Sequence, residues 1–203
     1  MGTALKISTT YLRPMSNAEP AYRNIHQDLI EGCLEKDQRS QFQIYKLYYK
    51  SMYNTCLRIV NDTMEAEDIM QEAFLSAFEK IESYSGSVSF GAWLKRIVVN
   101  RSLDAIKRRK AYFEDIESNA DIISETDYEE EDVRSSEERL QEVKRTIEKL
   151  PDGYRVILSL YLIEGYDHDE IAGILKISSS TSRSQLSRAR QKLIAEMKGM
   201  AEN

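Results

Sequence analysis

Asp167-His168-Asp169-Glu170-Ile171-Ala172-Gly173-Ile174-Leu175, then Lys176-Ile177-Ser178, then Ser179 through Met197: this stretch decides the fold. It opens with an Asp where a helix N-cap belongs and a Glu three residues on, a capping-box arrangement ahead of an apolar run. Lys176 to Ser178 reads as a turn, with a second cap from Ser178 or Ser179. In the helix after this turn, Leu186, Ala189, Leu193, Ile194 and Met197 recur at helical spacing and face inward. The opposite face carries Arg183, Ser184, Gln185, Ser187, Arg188 and Arg190. Arg suits guanine bidentately, Gln suits adenine, and Ser donates or accepts, so this face has the chemistry of a recognition helix. Spacing leaves a second reading open, an ordinary helical hairpin with a solvated basic face.

Upstream of this helix-turn-helix, Leu140, Val143, Ile147 and Leu150 form a short amphipathic helix, and Pro151 starts another through Val156, Ile157, Leu160 and Ile163. Residues 137–203 thus make a unit small but large enough to fold alone. Residues 112–136 are poor in large apolar side chains and dense in like charge, so they read as a flexible acidic linker. Ahead of it, residues 23–111 show helical periods. Ile25, Leu29, Ile30, Cys33 and Leu34 begin one helix. A run from Phe42 and Ile44 to Ile59 and Val60 makes a second, after a join near Lys36 to Arg39. A third is expected from Glu65 to Ile81, with Thr63 as N-cap and Ile69, Phe74, Ala77, Phe78 and Ile81 inward. Ser83 to Ser89 breaks the period, and Phe90, Trp93, Leu94, Ile97, Val98, Leu103 and Ile106 resume it. Trp93 shares a face with Phe90, Leu94 and Ile97, which points to a core position. Residues 1–22 contain Pro14 and Pro20 and no apolar period, and read as a loose leader. The expectation is an all-α protein of two small helical domains, four helices each, the second ending in the helix-turn-helix.

Composition agrees. Charged residues make up 31% and hydrophobic ones 41%, with 8 Gly and 3 Pro, a soluble helix-rich profile. The net charge of −6 argues against a protein that coats nucleic acid indiscriminately. Distribution matters more than the sum. Lys95 to Lys110 holds seven basic residues and one acid, Phe113 to Asp132 holds ten acids and no base, and Lys176 to Lys198 holds six basic residues and Glu196. Cys33 and Cys56 sit in apolar stretches without CxxC spacing and read as buried free thiols. The two histidines, His26 and His168, stand in no HExxH arrangement, and there is no Gly-rich phosphate loop or nucleophile triad. His168, in the first turn of its helix, is expected to be exposed. No enzyme, metal or cofactor is therefore expected. Without an apolar run of membrane-spanning length or a signal h-region, the expected location is the cytoplasm, with no direct membrane insertion.

Glu67-Asp68-Ile69-Met70-Gln71-Glu72-Ala73-Phe74, continuing to Ala77-Phe78, resembles region two of the sigma-70 family in its extracytoplasmic-function (ECF) group. Leu150-Pro151 through Glu164-Gly165-Tyr166, Glu170-Ile171-Ala172, and Thr181-Ser182-Arg183-Ser184 to Arg188-Ala189-Arg190 resembles region four of the same group. The resemblance implies an RNA polymerase sigma factor that binds the core enzyme and directs promoter-specific initiation. It assigns core-polymerase binding to Asp68, Gln71, Glu72 and Phe74, which would dock on the clamp helices of the largest subunit. It assigns −10 recognition and strand opening to Tyr84 and Asn100, with Arg96, Arg101, Lys107, Arg108 and Arg109 tracking phosphates beside Lys110. It assigns −35 reading to Thr181, Arg183, Ser184, Gln185, Ser187, Arg188 and Arg190. Further implied partners are promoter DNA, the flap of the second-largest polymerase subunit, and an anti-sigma factor of a kind that can be membrane-anchored. Physically, Asp68, Gln71 and Glu72 fall at three- and four-residue spacing and share a face suited to Arg side chains on a partner helix. The chain departs from the family at Lys176, where Gly is usual, and at Ser180 and Ser182, where Gly and an apolar residue are often found. The alternative is a stand-alone helix-turn-helix regulator, which would leave the Asp68 to Glu72 face without a partner.

Overall fold

The computed structural model describes residues 25–109 and 136–201, and among them every regular element is helical. The leader, Lys110 and the linker, apart from Ser136 at its end, lie outside the described residues. The first unit comprises α1 (Gln27–Leu34), α2 (Gln38–Val60), α3 (Thr63–Glu79), a single 3₁₀ turn (Ile81–Ser83) and α4 (Phe90–Arg108). The second comprises α5 (Ser136–Lys149), α6 (Asp152–Leu158, continued by a wide π turn over Ser159–Ile163), α7 (His168–Leu175) and α8 (Ser179–Ala201).

Each start has a local cause. Asp37 caps α2, its carboxylate accepting from Ser40 N at 2.9 Å, and Ser89 caps α4 by accepting from Ala92 N at 3.2 Å. The cap of α3 is Asp62, which accepts from Glu65 N at 2.9 Å, while the expected Thr63 is the first helical residue. A carboxylate there meets both the free amides and the positive helix end, an advantage a Thr hydroxyl lacks. At the other end, α2 stops at Asn61 in the left-handed region, a conformation Asn tolerates.

The first core gathers Ile44, Met52, Cys56 and Ile59 of α2, Ala66, Ile69, Ala73 and Phe74 of α3, and Phe90, Leu94, Val98 and Ile106 of α4. Both cysteines are buried free thiols, each pushed up to about 11 by burial. Phe42 and Leu47 do not join this core and are exposed. The Lys46 ammonium sits 5.6 Å over the exposed Phe42 ring. The second core gathers Ile147, Leu150, Val156, Ile157, Leu160, Ile171, Leu175, Leu186 and Ala189. The π turn adds a residue to the last turn of α6 and rotates the end of the helix, so Leu162 and Ile163 become exposed, Ile163 against the periodic expectation.

The two units touch. Helix α2 packs on α6, Asn61 donates to the Glu148 carbonyl at 2.9 Å, and Arg155, only 4% exposed, reaches the Ile59 carbonyl at 3.2 Å. Arg109 takes the neighbouring Val60 carbonyl at 3.0 Å. Two guanidinium groups thus satisfy carbonyls that the end of α2 leaves without helical partners.

Candidate nucleic-acid and partner interfaces

Three surfaces carry the residues singled out by the sequence. On α3, Asp68, Gln71 and Glu72 are exposed on one face. Leu75 lies one turn beyond them at 65% exposure, an apolar side chain that periodicity alone does not single out because it continues the apolar run around Phe74. Gln71 donates to Glu67 at 3.3 Å, and Glu72 accepts from Arg101 of α4 at 2.7 Å. Phe74 lies elsewhere. It is 3% exposed, edge-to-face with Tyr45 at a centroid distance of 4.9 Å, so its ring supports the helix from the core and does not stand on the face of Asp68, Gln71 and Glu72.

The second surface is the loop after the 3₁₀ turn together with α4. The Tyr84 hydroxyl donates to the Val88 carbonyl at 2.7 Å and closes the loop on itself. Its ring packs on Phe90 (5.5 Å) and Trp93 (5.4 Å), and Tyr48 reaches Phe90 from α2 (5.6 Å). Trp93 is half-buried in this aromatic group, at the edge of the core rather than within it. Arg96, Asn100 and Arg108 are exposed. Arg101 is engaged by Glu72, Lys107 lies 4.0 Å from Asp104, and Arg109 pairs with Glu65 while holding the end of α2. In this arrangement the Arg109 guanidinium is held at two points, by the Glu65 carboxylate and the Val60 carbonyl.

The third surface is the helix-turn-helix. Asp167 and Glu170 form the capping box: Glu170 N donates to Asp167 at 2.8 Å and the Glu170 carboxylate accepts from Asp167 N at 2.9 Å. Lys176 does adopt the left-handed conformation (φ 59°, ψ 44°) where the family usually has Gly. Ser178 is the cap of α8, accepting from Thr181 N at 3.0 Å. Arg183, Ser184, Ser187, Arg188 and Arg190 are exposed along α8, with Thr181 and Gln185 half-buried between them. The Arg190 guanidinium rests 5.5 Å over the Tyr161 ring, whose other neighbour is the stacked imidazole of His168. Ser182 is fully buried, and its hydroxyl meets His168 Nδ1 at 3.0 Å. A polar residue at an inward position thus finds its partner in a histidine whose place in a first turn suggests only solvent contact.

Comparison with known proteins agrees with this layout. The family description Sigma-70 region 2 matches residues 44–112, and Sigma-70, region 4 matches residues 140–193. The ECF RNA polymerase sigma factor SigW of Bacillus subtilis (strain 168) is 32% identical over 180 residues, covering 84% of this chain and 96% of the relative. The chain belongs to the sigma-70 family, in its ECF group. The ECF RNA polymerase sigma-E factor of Escherichia coli (strain K12) is 31% identical over 178 residues, covering 81% of this chain and 90% of that one. Among solved structures, CnrH in complex with the cytosolic domain of CnrY superposes with a TM-score of 0.53 at 22% identity, covering 86% of this chain and 97% of the other. The sigma factor RpoE of Bartonella quintana, in complex with the anti-sigma factor NepR, gives 0.53 at 22% identity, covering 77% and 95%. The protein is therefore a sigma factor that directs RNA polymerase to promoters, from a family that is not a catalytic class. No helix among the described residues is long and apolar enough to cross a membrane.

Proposed function

We propose that this sigma factor docks on the clamp helices of the largest polymerase subunit through Asp68, Gln71 and Glu72, with Leu75 as the apolar contact beside them. The observation that carries this is the face itself: two carboxylates, an amide and an exposed leucine aligned on one side of α3. Charge there gives orientation and on-rate, and the leucine gives burial. Asp68 has no hydrogen bond or ion pair among the described residues, so its carboxylate is available to a partner Arg. On the DNA side, the Tyr84 loop and Asn100 read and open the −10 element while Arg96 and Arg108 anchor the strand. Thr181, Arg183, Ser184, Gln185, Ser187, Arg188 and Arg190 read the −35 element, and the second unit also meets the flap of the second-largest subunit. The acidic linker, ten acids between Phe113 and Asp132, threads a basic path through the enzyme, where its charge is favoured. The protein acts in the cytoplasm under an anti-sigma factor, a partner class seen with the similar RpoE of Bartonella quintana.

The test of docking is Asp68→Lys in the full chain. Holoenzyme formation with core polymerase, read by native gel or analytical ultracentrifugation, should weaken by at least tenfold, whereas duplex DNA binding by the second unit should not change. Unaltered holoenzyme affinity would remove this assignment of the α3 face.

A further inference from the structure

Thr55, Arg58 and Lys95 are not among the residues assigned to polymerase or DNA contact, yet they converge on one anion. Arg58 Nε donates to Glu164 Oε1 at 3.0 Å, with the Arg58 Nη2 contact closer still, and Thr55 Oγ1 donates to the same oxygen at 3.2 Å. Lys95 Nζ lies 2.9 Å from Glu164 Oε2. The Glu164 side chain is 2% exposed, while Arg58 and Lys95 keep 31% and 28%. Burial alone would raise the Glu164 carboxyl, but hydrogen bonds and charge from Lys95 and Arg58 outweigh it and hold the group below its ordinary range.

The three donors sit on the first unit and the acceptor on the second. The same division holds for the groove around them: its bases, Lys95 and Arg96, come from the first unit, and its acids, Glu164, Asp169 and Glu170, from the second. The groove's first-unit wall also includes Ser87 and Ser89 of the loop assigned to the −10 element. Two cations against one carboxylate leave the cluster with net positive charge even when filled. An Arg fork, a Lys and a hydroxyl on two adjacent oxygens form the donor set that suits the non-bridging oxygens of a phosphodiester.

We propose that Thr55, Arg58 and Lys95 form a binding site for a backbone phosphate of single-stranded promoter DNA, and that Glu164 fills it while the two units are closed on each other. The carboxylate and the phosphate exclude one another, so the strand enters as the second unit leaves. The closed chain then has little affinity for single strands, and its −10 surface opens in the same step that separates the units to span both promoter elements. The inference rests on the first unit being the promoter-opening unit.

The experiment is fluorescence anisotropy of a random-sequence single-stranded DNA oligonucleotide with the full chain and no polymerase, over a range of salt concentrations. A phosphate contact is independent of sequence, so no promoter is needed. Glu164→Gln, with Glu164→Ala beside it, should bind on the order of tenfold tighter than the unsubstituted chain, with a salt slope steeper by about 0.7 for the one phosphate newly neutralised. Adding Arg58→Ala and Lys95→Ala should abolish the gain, and Arg58→Lys with Lys95→Arg should restore most of it. Circular dichroism melts confirm that each variant is folded; if the double alanine is not, Lys95→Ala alone carries the test. Equal binding with and without the Glu164 carboxylate would overturn the inference, and so would a gain that persists without both cations. Failure of holoenzyme formation by the unsubstituted chain sinks instead the polymerase-docking reading, so the two failures are told apart.

Discussion

Single residues explain where this chain departs from its family. Lys176 adopts φ 59° without being glycine, a conformation that costs an L side chain roughly 1 kcal/mol. Lys176→Gly should therefore stabilise the second unit by several tenths to about 1 kcal/mol, less the entropy glycine adds to the unfolded chain, as read by urea unfolding. The buried Ser182 hydroxyl depends on His168 at 3.0 Å. His168→Ala should destabilise the unit by about 1 kcal/mol, and adding Ser182→Ala should recover much of that, because the orphaned group is then gone. A double-mutant cycle without coupling would contradict this account of the pair. Sequence periodicity places Ser182 on the inward face but cannot name its partner, since His168 lies fourteen residues away across a turn.

Whole elements were the most legible feature, because a 3.6-residue apolar period survives in any helix that buries one face. All four helices of the first unit and the helix-turn-helix stand where that period puts them. What it could not show was local geometry: a cap at Asp62 with Thr63, also a capping residue type, beside it, or a π turn inside the uninterrupted run Ser159–Ile163. Nor could it separate an exposed residue from a core one within a single motif. Phe74 stands among Asp68, Gln71 and Glu72 in sequence, but the helix turns its ring inward to Tyr45. Phe74→Ala should cost roughly 3–5 kcal/mol of first-unit stability, a loss visible in chemical unfolding without polymerase. Leu75→Asp on the exposed side should leave unfolding unchanged within about 0.5 kcal/mol and weaken holoenzyme formation. If the two variants swap these effects, the assignment of the α3 faces is wrong.

For the molecule as a whole, the contacts between units were invisible to sequence reasoning. Thr55 and Arg58 meet Glu164 across separations of 109 and 106 residues, and no local spacing encodes that. The Glu164 carboxyl is held below its ordinary value of 4.5, with the ion pairs to Lys95 and Arg58 outweighing the effect of burial. A depressed carboxyl stabilises the closed form fully above the ordinary value, and the contribution disappears as pH falls through the lowered one. The radius of gyration by small-angle scattering at fixed ionic strength should therefore stay constant from neutral pH down to about 5 and rise only in stronger acid. Expansion beginning above about pH 6 would rule out Glu164 as the group that holds the units together.

The most direct measurement of the central claim is run-off transcription with purified core RNA polymerase, the full chain and fragmented genomic DNA of the source organism. Discrete transcripts should appear with the chain, be absent from core enzyme alone, and be lost or strongly reduced with Asp68→Lys. A chain that neither joins core polymerase nor yields any specific transcript would contradict the account.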